Sequence, residues 1–187
     1  MWQGIFSREA LVVRATALVT GGTGGLGCAV TQRLLEAGWR VVVPWIVESE
    51  LARLPSDPRL ELLKADLFDP DGVAEVVEVA AADPDAPLTA VANLVGGFAM
   101  GERVHESPVD EFERLMRLNL RPTYLTTQAA LPHLMKIGRG SIVAVSAKSA
   151  WLKMRTSGSS FGCSLWRFFI RSSICVCRLA MMLSSVA

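Results

Sequence analysis

Thr20-Gly21-Gly22-Thr23-Gly24-Gly25-Leu26-Gly27 concentrates five glycines in eight residues. The apolar run Ala17-Leu18-Val19 leads into it, and Ala29, Val30, Leu34 and Leu35, at helical spacing, lead out. That order reads as a buried strand, a tight turn and a helix. Such a turn binds anions. The first N–H groups of the helix lack carbonyl partners and face the turn, as does the positive end of the helix dipole. Glycines, having no Cβ, let a pyrophosphate approach the main chain. No Gly-Lys-Ser/Thr follows, so this is not the phosphate loop of a nucleoside triphosphatase.

Gly22-x-Gly24-x-x-Gly27 fits the general dinucleotide spacing, while Thr20-Gly21-x-x-x-Gly25-x-Gly27 fits a narrower pattern. The narrower one resembles the cofactor turn of the short-chain dehydrogenase/reductase family. The resemblance implies NAD or NADP as cofactor, with Thr20, Gly21, Thr23, Gly25, Leu26 and Gly27 around it. Further positions match the family in order. Asp66 follows a strand-like run, Arg59 to Lys64, and is similar to the family's adenine-binding Asp, with Leu67 flanking the ring. Read without the family, Asp66 caps the next helix, as Asp69 or Asp71 also could. Asn93-Leu94-Val95-Gly96 resembles the Asn-Asn-Ala-Gly segment at its two ends but not in its middle. The resemblance implies that Asn93 ties neighbouring strands together and that Gly96 lies against the nicotinamide ribose. Asn119 matches the active-site Asn whose carbonyl holds a water; a hydrogen-bonded core Asn is the other reading. Ser146, near the end of Ser141-Ile142-Val143-Ala144-Val145-Ser146, matches the catalytic Ser that orients a carbonyl, with Ser149 as the fallback.

The resemblance then fails. The family's acid/base pair is Tyr-x-x-x-Lys, one helical turn apart, in which the Lys charge lowers the phenol pKa. Here Phe161 and Leu165 occupy those slots, and neither ionises. The only tyrosine is Tyr124, no Lys follows Lys153, and His105 and His133 have no partner at a catalytic spacing. Cys175-Val176-Cys177 is at most half a metal site, with no second pair. By its resemblance the chain is an NAD(P)-dependent oxidoreductase acting on a small carbonyl or alcohol. By its residues at 161 and 165 it is a dinucleotide-binding module without proton chemistry.

The elements that must position these residues follow from pattern. Strands are expected at 15–20, 40–43, 59–64, 88–95 and 141–146, and helices at 25–37 and 70–82. A long helical stretch over 109–135 is expected to break at Pro122 and Pro132, and the family uses this helix as its dimer surface. Alternating strands and helices give an α/β fold, a Rossmann-type doubly wound parallel sheet in three layers, without the family's last strands. The tip of the second strand, Pro44-Trp45-Ile46, has neither the acid that would hold a ribose 2′-hydroxyl nor an Arg for a 2′-phosphate. Glu48 and Glu50 come slightly late and read as the polar face of a short helix, so NAD and NADP both stay open.

The 187 residues suit one domain, and 51% hydrophobic content suits a buried sheet. Residues 1–158 are assigned to the dinucleotide-binding domain and 159–187 to an atypical, helical tail. The net charge of +1 gives no bulk attraction to nucleic acid or membrane. Four scattered cysteines, no signal-peptide pattern and no long apolar run point to a reduced, cytoplasmic setting.

All 18 acidic residues lie at or before Glu113, and 11 Lys/Arg with no acid follow. Loss of acids, of the Tyr-x-x-x-Lys match and of roughly 60 to 90 further family residues coincide, which is the pattern of a reading frame lost near Gly158. The coding DNA is expected to regain Tyr-x-x-x-Lys on a single-base shift; a sequence in which no shift restores it contradicts that origin.

Overall fold

The structure is a computed structural model, and it describes residues 14–98, 105–147 and 174–179. Strands β1 (Thr16–Thr20), β2 (Arg40–Trp45), β3 (Leu60–Lys64), β4 (Leu88–Asn93), β5 (Ser141–Ala147) and β6 (Ile174–Leu179) form one sheet in the order β3-β2-β1-β4-β5-β6. The first five run parallel, and β6 runs antiparallel to β5. Helices α1 (Gly25–Glu36), α2 (Pro70–Ala81) and α3 (Val109–Ile137) connect them, and a short 3-10 helix, Glu48–Arg53, follows β2. The order reverses between β1 and β4, so the C-terminal ends of these two strands flank the crevice where such sheets take ligands.

The central strands are apolar on both faces because helices cover both. Every residue of β1 is buried. Leu18 and Val42 pack with Val73, Val76 and Val77 of α2 and Ala130 and Leu134 of α3. Val19, Val41 and Val43 face the other way and pack with Leu35 of α1. Thus successive side chains of one strand serve two separate cores, as the pleat requires.

Local signals start and stop the helices. Asp69 caps α2, accepting from the Asp71 N–H, and Pro70 stands in its first turn. Gly138, at φ 72°, ends α3 in the left-handed conformation. The turn into β3 is clipped by Arg59, whose side chain donates to Asp57 and holds that carboxyl below its ordinary range.

Three expectations need correction. Helix α3 is continuous through both Pro122 and Pro132. Each proline removes one helical hydrogen bond, but Pro122 belongs to the buried stripe with Thr126, Ala130 and Leu134, and that packing outweighs the loss. The second strand runs two residues further than expected, so Pro44 and Trp45 pair with Leu63 and Lys64 instead of forming a tip. In the tail, residues 174–179 are a strand and not a helix. Ile174, Val176 and Leu179 suit a short strand, and pairing covers the exposed edge of β5. The rest of the tail lies outside the described residues.

One close contact fixes where α1 meets the sheet. A Cβ on Gly27 would overlap the carbonyl oxygen of Gly21 and lie 2.6 Å from the Cα of Gly22, both main-chain atoms that no rotamer change can move. A Cβ on Gly25 would meet nothing within 4 Å. Gly27→Ala is therefore expected to cost about 3 kcal/mol in urea unfolding, while Gly25→Ala should unfold at the wild-type midpoint. Equal midpoints for the two variants would contradict this packing.

Candidate functional site

The candidate site is built on the turn between β1 and α1. Gly21 leaves β1 at φ 67°, and a Cβ there would lie 3.0 Å from the main chain of Leu94 and Val95. The absence of a side chain lets the exits of β1 and β4 touch. The Leu94 N–H donates to the Thr20 carbonyl and hydroxyl, both at 3.2 Å. The α1 N-cap is Gly24, and no side chain caps its N–H groups. The first-turn amides of Gly25, Leu26 and Gly27 therefore face the turn with only helical geometry to orient them. Gly25 is exposed with open space beyond it, and Leu26 beside it is half exposed. Thr20 and Thr23 are buried. This is a cradle that a diphosphate fits: free donors, a positive helix end and no Cβ over the opening.

The other residues singled out by pattern gather along the same sheet edge. Asn93 is buried at the end of β4, where its carbonyl oxygen accepts from the Thr20 hydroxyl at 3.4 Å and its amide donates to Thr127 of α3 at 3.3 Å. It ties β1, β4 and α3 together. Asn119 lies on α3 and makes three hydrogen bonds through its side chain. Its oxygen accepts from the Gly97 N–H at 3.0 Å, and its amide donates to the carbonyls of Gly97 and Leu115. A Cβ on Gly96 would lie 2.7 Å from that oxygen, so Asn119 and Gly96 are packed together. The main-chain carbonyl of Asn119 lies within the continuous helix α3, and the Thr123 hydroxyl also donates to it at 3.4 Å.

Asp66 is exposed, and its carboxylate accepts from the Phe68 N–H at 2.8 Å. It does not cap α2, because Asp69 does. Leu67 is buried in the core with Val73 and Val76, so any contact it makes with a ligand runs through its backbone. Ser146 stands near the end of β5, in register with Cys175 of β6. Ser149, Phe161 and Leu165 lie outside the described residues.

Three residues that pattern did not assign to the site also reach this edge. Glu50, in the 3-10 helix, accepts from the Thr23 hydroxyl at 2.6 Å. Arg53, one turn on, donates to the Thr23 carbonyl and to Glu50, both at 3.4 Å. Arg121 of α3 donates to the Phe68 carbonyl at 3.0 Å, holding the segment that carries Asp66. The signal for Glu50 was its place after β2, but no spacing rule points from it back to Thr23. Lys64 lies 5.7 Å above the Trp45 ring at the end of β2. Among the described residues, no cluster of His, Cys, Asp and Glu could hold a metal, and no helix is long and apolar enough to cross a membrane.

Known proteins resemble this chain in sequence and in fold. The family model described as short chain dehydrogenase matches residues 15–164. The 3beta-hydroxysteroid dehydrogenase 2 of Eggerthella lenta is 28% identical over 154 residues, covering 80% of this chain and 59% of that protein. The cis-4-hydroxycyclohexanecarboxylate dehydrogenase of Sinomonas cyclohexanicum is 33% identical, covering 74% of this chain and 57% of that one. The solved structure of ElxO with NADP bound superposes with a TM-score of 0.68 at 21% identity, over 75% of this chain and 58% of that one. The chain thus spans a little over half the length of the curated relatives it matches.

Proposed function

Because this chain belongs to the short-chain dehydrogenase family, we propose that it is an NAD(P)-binding oxidoreductase by descent whose cofactor lies across the β1–β4 crevice. The observation that carries this is the uncapped, open glycine turn at the strand-order reversal. Thr20, Gly21, Thr23, Gly25, Leu26 and Gly27 would hold the diphosphate, and Asp66 with the Leu67 backbone the adenine. Gly96 would let the main chain lie near the nicotinamide ribose. When bound, the cofactor supplies or accepts hydride against a small carbonyl or alcohol. Asn93 and Asn119 act as positioning residues: they fix the segment from Leu94 to Gly97 that forms the floor of the crevice. Ser146 is the proposed carbonyl-orienting hydroxyl.

A second reading has its own observation. Phe161 and Leu165 stand where the family places its proton donor and the Lys that tunes it. On that reading the chain binds dinucleotide and does not turn over, residues 1–158 being the binding unit and 159–187 an unrelated tail. A cytoplasmic setting fits the free Cys28. Titration calorimetry is expected to give saturable binding of NAD(H) or NADP(H) to the full chain, with no steady-state carbonyl reduction. Turnover at family-like rates would remove the second reading, and heat-silent titrations with all four dinucleotides would remove both.

Helix α3 also offers a partner surface. Phe112, Met116, Leu120 and Tyr124 are all exposed, and their four-residue spacing makes one apolar stripe. Arg117 and Arg121 line an open groove along it. We propose a second copy of the chain as its occupant. Sedimentation equilibrium should find a dimer, and Leu120→Glu a monomer; a monomeric wild type would contradict this.

A further inference from the structure

We infer that Glu50 reads the adenosine ribose, accepting from the 2′-hydroxyl of NAD and disfavouring the 2′-phosphate of NADP. The inference rests on the proposed dinucleotide site and names what that site selects. The usual place for such a carboxylate is the end of the second strand. Here that place holds Trp45, followed by Ile46 and Val47, which are exposed and apolar. The strand end therefore offers no side-chain acceptor for a sugar hydroxyl.

The carboxylate comes instead from the next element. Glu50 sits in the third position of the 3-10 helix and reaches back to the glycine turn, where one oxygen accepts from the Thr23 hydroxyl at 2.6 Å. Arg53 meets the other oxygen at 3.4 Å. A carboxylate has room for about four hydrogen bonds, so both oxygens keep capacity for a ligand hydroxyl. Its side chain is about one-third exposed (34%), at the mouth of the turn, rather than sunk beneath it. Thr23 is buried and belongs to the turn itself, so the bond fixes the carboxylate relative to the diphosphate cradle.

Two cations compete for the same end of the sheet. Arg53 is more than half exposed, and its loose contacts with Glu50 and the Thr23 carbonyl leave it solvent-screened. Lys64 stands over the Trp45 ring. A 2′-phosphate would enter beside a carboxylate already anchored at hydrogen-bond distance, against one screened guanidinium. Glu50 is held to Thr23 at 2.6 Å and Arg53 at 3.4 Å, so the carboxylate is the more firmly fixed charge and its repulsion of a second anion outweighs the attraction.

The test is calorimetry on the full chain with three ligands: NAD+, 2′-deoxy-NAD+ and NADP+. The wild type is expected to bind NAD+ about tenfold more tightly than either of the others, the size of one charge-assisted hydrogen bond. In Glu50→Gln the 2′-deoxy penalty should shrink and NADP+ should approach NAD+. The wild-type ligand series stands by itself should that variant not fold. NADP+ binding as tightly as NAD+, or 2′-deoxy-NAD+ binding like NAD+, would overturn the assignment of Glu50 and leave the dinucleotide site standing. If none of the three binds, the site itself is refuted and this inference with it.

Discussion

The fold turns on a place where three pieces of main chain meet with no side chain between them. Gly21 brings the exit of β1 against Leu94 and Val95 at the exit of β4, and Gly27 seats the first turn of α1 against Gly21. A Cβ at either position would push backbone from backbone, and backbone has nowhere to go. The strand-order reversal makes a crevice at this sheet edge. The glycines decide that its floor is peptide and its donors are the N–H groups of a helix end. Thr20 and Asn93, joined by a hydrogen bond across the two strands, keep the two exits in step.

A second layer of polar contacts holds the far side of the crevice. Asn119 binds Gly97 through both its oxygen and its amide, so α3 grips the chain leaving β4 like a clasp. Both amide protons of Asn119 are taken, by the carbonyls of Gly97 and Leu115, so it has no donor left for a substrate. Arg121 does the same for the segment carrying Asp66. The consequence is that α3, remote in sequence from the glycine turn, sets the positions of two of the loops around it. The exposed stripe on the same helix links those positions to whatever covers it.

How much of this was legible beforehand depends on the range of the interaction. The glycine turn, the strand before it and the helix after it are local signals, legible from Ala17 to Leu35. The Asn93 tie between strands was legible through the family pattern. Pro122 misled because its local preference is to end a helix, whereas its buried place in α3 is decided by packing on the sheet. The strand at 174–179 misled because a short apolar run carries no period that separates strand from helix, and its choice depended on the open edge of β5. Glu50 reads in sequence only as part of a polar helix face, since a bond to Thr23 spans 27 residues and leaves no mark in spacing.

The central claim is that the backbone of the β1–α1 turn and of the chain leaving β4 together form one dinucleotide cradle. Amide hydrogen exchange with and without NAD(H) tests it most directly. The account predicts slowed exchange at Gly21–Gly27 and Leu94–Gly97, and at Leu67 beside the adenine, with the exterior face of α3 unchanged. Protection that appears elsewhere while these two segments exchange as before would contradict it.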